Sequence, residues 1–116
     1  MRLTELQPQF MKRLSDIEFQ YVDTLAEAEI LKFLCPACFL KNKGPIGTHA
    51  ILCPNPSVPK TTLPNMGRWN LVGTGFEDLS LVAGSSSILI RATEAEKAAG
   101  ILEHWHGFIR GGEVTL

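Results

Sequence analysis

The sequence predicts a mainly β domain: a small antiparallel, sandwich-like sheet fold with two short helices. Three observations predict it. Short apolar runs bounded by turn residues recur along most of the chain. Glycine and proline are segregated, with all ten glycines at Gly44 or later and all seven prolines at Pro64 or earlier. Only two segments carry helix-start chemistry. The 116 residues, 45% hydrophobic and 20% charged, fit one domain spanning 1–116. The formal net charge of -1 offers no basic surplus for phosphate contacts, which disfavours a nucleic-acid partner.

Ile17–Val22 alternates with period two, predicting a strand with Ile17, Phe19 and Tyr21 on one face. Thr24-Leu25-Ala26-Glu27 matches a capping box and predicts a helix of about two turns ending near Leu31. Leu31–Cys35 and Thr48–Cys53 read as a pair of strands folded near Lys43. Residues 44–67 hold five of the prolines and one full charge, Lys60, and predict an irregular stretch with a strand inside it. Arg68–Val72, Leu79–Val82 and Ser87–Arg91 read as further strands. Thr93-Glu94-Ala95-Glu96 repeats the capping box, with Gly100 as a stop. Trp105–Arg110 predicts a strand, and Glu113–Leu116 a last short one after a Gly111-Gly112 turn.

The sharpest local feature is Cys35-Pro36-Ala37-Cys38, two thiols at a spacing that grips one zinc ion. No second such pair exists, so the remaining ligands come from Cys53, His49, His104 and His106. With Ala37 opposite His49 and Phe33 opposite Cys53 in the strand pair, His49 lies beside the knuckle. Cys53 lies roughly 13 Å further along, at 3.3 Å per residue, and reads as a buried hydrophobe. His104 and His106 flank Trp105 and share a face on a regular strand. Glu103 is a candidate partner or oxygen ligand. Trp69 and Trp105 read as core anchors. A thioredoxin-like role fits poorly, because Phe39-Leu40 and the following glycine-proline loop predict no helix after the pair. Gly73-Thr74-Gly75 is too short for a phosphate loop.

Several blocks together carry a resemblance. They are Phe33-Leu34-Cys35-Pro36-Ala37-Cys38-Phe39, Asn42-Lys43-Gly44-Pro45-Ile46-Gly47-Thr48-His49, Gly67-Arg68-Trp69, Asp78-Leu79-Ser80-Leu81 and Trp105-His106-Gly107-Phe108-Ile109-Arg110 with Gly112-Glu113. In this order they resemble a group of small proteins of unknown function encoded by tailed bacteriophages and prophages. The resemblance implies a zinc-type domain in which the central pair meets a Cys-x-x-His near the C-terminus, here with Glu103 in place of the cysteine. It supports Cys35, Cys38 and His106 as ligands. With His49, these complete the expected metal set of Cys35, Cys38, His49 and His106, with His104, Glu103 or Cys53 as replacements for His49.

The expected function is non-enzymatic: a phage-encoded protein that binds another protein, as a virion or tail accessory component or as an inhibitor of a host defence, with zinc as the candidate structural metal. It would act in the host cytoplasm or in the virion, with self-association open. No secretory leader and no apolar stretch of membrane-spanning length is visible. Two other readings stand beside it: a hydrolase using zinc on His49, His104 and His106 with Glu103 as base, and a zinc knuckle that binds nucleic acid.

Overall fold

A computed structural model describes residues 1–115. Two 3-10 turns, Leu3–Leu6 and Leu25–Glu27, accompany ten strands and two α-helices. The strands are β1 (Gln9–Arg13), β2 (Phe19–Val22), β3 (Ile30–Leu34), β4 (Ala50–Pro54), β5 (Asn70–Val72), β6 (Ser80–Val82), β7 (Ile88–Arg91), β8 (Glu103–Gly107), β9 (Ile109–Arg110) and β10 (Glu113–Val114). The helices are α1 (Pro36–Asn42) and α2 (Glu94–Ala98). One four-stranded sheet has the order β2-β1-β3-β4, and three two-stranded ribbons pair β5 with β6, β7 with β8, and β9 with β10. Every pairing is antiparallel. The mainly β class and the number of short helices agree with the sequence, and of the two only α2 stands where a helix is expected. The strand expected over Glu113–Leu116 is present as Glu113–Val114, and Leu116 lies outside the described residues.

β1 gives no period-two signal because both faces of this strand are covered. Phe10 packs into the main core with Leu31, Phe33 and Trp105, and stacks on Phe76 with ring centroids 4.2 Å apart. Its neighbour Met11 packs on the opposite side with Ile30 and Val58. β3 behaves likewise, with Ile30 on one side and Leu31 and Phe33 on the other, all fully buried. The demand to bury Ile30 and Leu31 on opposite faces overrides the helix expected from Thr24. That segment makes only the turn Leu25–Glu27 before Ala28 becomes extended at φ -77, ψ 138. Ile17, expected on an apolar face with Phe19 and Tyr21, is instead 87% exposed in the turn before β2, and Tyr21 is also exposed. Tyr21 accepts a hydrogen bond from Lys32 Nζ across the sheet at 2.7 Å.

The first α-helix, α1, stands where the sequence reading places a loop. Pro36 occupies its first turn, where a missing N–H costs nothing and φ is already set. Lys43 ends it in the left-handed region at φ 56. The β3–β4 register places Leu31 opposite Cys53 and Phe33 opposite Ile51. That is two residues from the expected register, and an even shift keeps each side chain on its face.

The irregular stretch after β4 is organised by one guanidinium. Arg68 donates to the carbonyls of Val58 (2.9 Å), Pro59 (2.9 Å), Leu63 (3.1 Å), Met66 (3.0 Å) and Gly67 (2.9 Å). Trp69 and Trp105 are core anchors as expected, and each indole N–H reaches a carbonyl, those of Ser87 and Thr115. The described ends of the chain meet: Leu3 N donates to Gly112 O at 2.8 Å, and Arg2 pairs with Glu113 at 2.9 Å. No helix among the described residues is long and apolar enough to cross a membrane.

Candidate metal centre

The centre is built at the corner where β3 turns into α1. Cys35 is the residue before the helix, and Cys38 lies in its first turn. The Phe39 N–H donates to Cys35 O at 2.9 Å, which closes that turn and brings the two side chains to one side. Burial pushes the Cys35 thiol up, against the pull of the Cys38 and Ala37 N–H groups at the helix start.

His49 arrives from the other side of the β3–β4 pair. Cys35 N donates to His49 O at 2.9 Å, so the ladder itself sets the two residues opposite each other. The loop between them is pinned by Asn42 Nδ2 donating to Thr48 Oγ1 (3.2 Å) and Thr48 Oγ1 donating to Gly44 O (2.8 Å). Gly47 holds φ +78 there, a conformation that side-chain-bearing residues rarely adopt.

His104 supplies the fourth group. On a regular strand it would share a face with His106, but β8 is irregular at this point. Trp105 pairs with Ile90 and Glu103 with Arg91, which leaves His104 without a partner across the ladder. The extra residue is a bulge, and a bulge redirects its side chain. His104 turns inward over Cys35 and Cys38. His106 stays in register opposite Leu89, exposed, with Nδ1 3.2 Å from Glu103 Oε2.

The donor atoms of Cys35, Cys38, His49 and His104 all lie within 4.8 Å of one another. His104 Nε2 is 3.3 Å from Cys35 Sγ, 3.2 Å from Cys38 Sγ and 3.1 Å from His49 Nε2. A tetrahedral zinc with bonds of about 2.3 Å to sulfur and 2.05 Å to nitrogen separates its ligands by about 3.5 Å for N···S and about 3.3 Å for N···N. The observed separations fall within a few tenths of an ångström of those edges.

The other ring nitrogen of His104 faces Glu96, with Nδ1 2.9 Å from Oε2 and 3.1 Å from Oε1. A carboxylate there keeps the proton on Nδ1 and leaves Nε2 with a lone pair aimed into the centre. One nitrogen cannot satisfy two sulfurs and a second imidazole by donating a single proton, whereas a cation among them satisfies all four. The residues present therefore fit a divalent metal that accepts two thiolates and two imidazoles.

Glu96 is also the third residue of α2. Its carboxylate accepts from Thr93 N (3.0 Å), while Thr93 Oγ1 accepts from Glu96 N (3.1 Å). These bonds, with the His104 contact second, hold the Glu96 carboxyl below its ordinary value.

The structure thus brings together three of the four expected residues, Cys35, Cys38 and His49, and the fourth group beside them is His104, not His106. The set expected for a hydrolase is divided: His49 and His104 are in the centre, while His106 and Glu103 pair with each other at the surface. Cys53 is fully buried in the core, and burial pushes its thiol up. The pair Cys35 and Cys38 does begin a helix, contrary to expectation, but two imidazoles share its space. Gly73-Thr74-Gly75 is a turn gripped by Asp78, whose carboxylate accepts from Thr74 N (2.9 Å) and Gly75 N (3.0 Å). Glu96 was missed as His104's partner; its capping box was legible, its reach to residue 104 was not.

No protein-family model, curated protein or solved structure matches the chain.

Proposed function

We propose that this chain is a zinc-stapled binding domain: Cys35, Cys38, His49 and His104 hold one Zn2+ as a closed structural site, and the protein acts by binding another protein. The convergence of four soft and borderline donors within 4.8 Å carries the metal reading. Two thiolates and two imidazoles suit zinc, and four protein ligands leave no position for a substrate water. The ion would be held half-buried, with Cys35 buried and His49 on the solvent side.

The protein-binding half is supported by the net charge of -1, which offers phosphate little attraction, and by the resemblance to small phage-encoded proteins. In that setting the partner is a virion component or a host protein.

The decisive experiment is metal analysis of the protein purified without a histidine tag. One zinc per chain is expected. Replacement by Co2+ should give the visible bands of a tetrahedral S2N2 site, lost in Cys35→Ser and His104→Ala and retained in His106→Ala. Zinc content unchanged in His104→Ala would overturn the ligand assignment. For the setting, mass spectrometry of purified particles from an induced lysogen carrying the gene detects the chain if it is a virion component; its absence there removes that branch.

A further inference from the structure

Among the described residues β7 is bonded to β8 alone, and β4, the outer strand of its sheet, has its far edge bonded only at one end, where Trp69 N donates to Pro54 O at 3.0 Å. Both line one cavity of about 290 Å³, β4 through Ile51, Leu52 and Cys53 in succession, and β7 through residues 88–91. Successive side chains of a strand point to opposite faces. An opening that meets three or four consecutive residues therefore touches the strand along its edge, not on one face. The cavity is a slot between two strand edges.

Its walls are apolar, with Trp69 and Met66 closing it beside the strands. β4 carries no charged residue to discourage pairing, and its one edge protection, Pro54, stands at its end and leaves Ala50–Cys53 without either device. A second hollow shares Asn65, Met66 and Arg91 with the slot, so the two run together at the end of β7. Arg91 is exposed and, among the described residues, is the only charged one lining either hollow.

We propose that an extended segment of a partner protein seats in this slot as an added strand, its backbone bonded to an open edge, alternate apolar side chains against the slot and a carboxylate on Arg91. Main-chain bonds then supply affinity, and the apolar wall with its single cation supplies selectivity. The proposal rests on the protein-binding half of the proposed function and not on the metal half.

The test is selection of a random dodecapeptide library on the intact, zinc-loaded chain. The enriched sequences should alternate apolar with polar residues and carry Asp, Glu or a free carboxyl end. A synthetic copy of the most enriched peptide should change Trp69 fluorescence. It should bind at least about tenfold more weakly to Arg91→Gln, the loss expected for one charge-assisted contact, and N-methylation of alternate backbone amides should abolish binding. No enrichment over a bare surface overturns the proposal, as does binding that survives both Arg91→Gln and N-methylation. Peptides that bind through another face overturn the slot while leaving protein binding intact.

Discussion

Glu96 performs two tasks with one carboxylate. It completes the cap of α2 and fixes the imidazole of His104. Glu96→Gln retains an oxygen able to cap the helix but removes the charge behind the ring. Outer carboxylates of this kind are worth roughly 10- to 100-fold in metal affinity. Zinc affinity of Glu96→Gln should fall by about that factor in chelator competition, with little change in the unfolding midpoint of the metal-free protein. His104→Ala should lose more than about 100-fold, and His106→Ala should match the parent protein. At this scale the sequence was legible for Cys35, Cys38 and His49, whose approach follows from a short spacing and a hairpin. It misled at residue 104, because a two-residue spacing assigns His104 and His106 to one face only if the strand is regular. The bulge arises where residue 91 pairs with Glu103 instead of His104, and no local residue pattern announces it.

Elements show a similar division. The strands from Asn70 to Arg91 and the cap at Thr93 follow from local chemistry, and the structure contains them. α1 was obscured because the Gly44-Pro45 loop follows so closely, whereas Pro36 opens a helix that ends just before it, at Asn42. β1 was invisible because its two apolar residues, Phe10 and Met11, are adjacent and bury on opposite faces, so no alternation results. Thr24 chose a turn because burial of Ile30 and Leu31 outweighs a cap.

Two elements offer direct tests. Arg68→Lys cannot reproduce five donations from a planar fork to the surrounding carbonyls. It should destabilise by roughly 1.5–3 kcal/mol in urea unfolding and speed tryptic cleavage at Lys60. Gly112, in the turn between β9 and β10, has φ +78, and a methyl there would run into the Glu77 carbonyl. Gly112→Ala should therefore cost at least the ~1–2 kcal/mol of a left-handed residue, read as a lower melting temperature; a neutral result would contradict the packing described.

For the whole molecule, acid should be destabilising. Arg13 holds the Asp16 carboxyl low, the Thr74 and Gly75 N–H groups do so for Asp78, and Arg2 for Glu113. Carboxyls lowered on folding contribute stability that is fully present above their ordinary values, 3.8 for Asp and 4.5 for Glu, and is lost as pH falls through the lowered values. The melting temperature of metal-free protein should drop steadily below about pH 4.5, and a flat profile down to pH 2 would be inconsistent with these contacts. With metal, zinc at about 1,000-fold over its Kd should add roughly 4 kcal/mol, removable by chelation.

The spacing of the four ligands also sets an order of events. Cys35, Cys38 and His49 sit within a short hairpin, whereas His104 is 55 residues beyond His49. Closing a short loop costs less entropy than closing a long one. On the proposed zinc reading, the nearby trio would take an ion first during refolding, and the β7–β8 ribbon would bring the last imidazole later. Stopped-flow refolding of the cobalt form should accordingly develop thiolate-to-metal absorption before it acquires its final tetrahedral spectrum, with the interval between them timing the arrival of the ribbon.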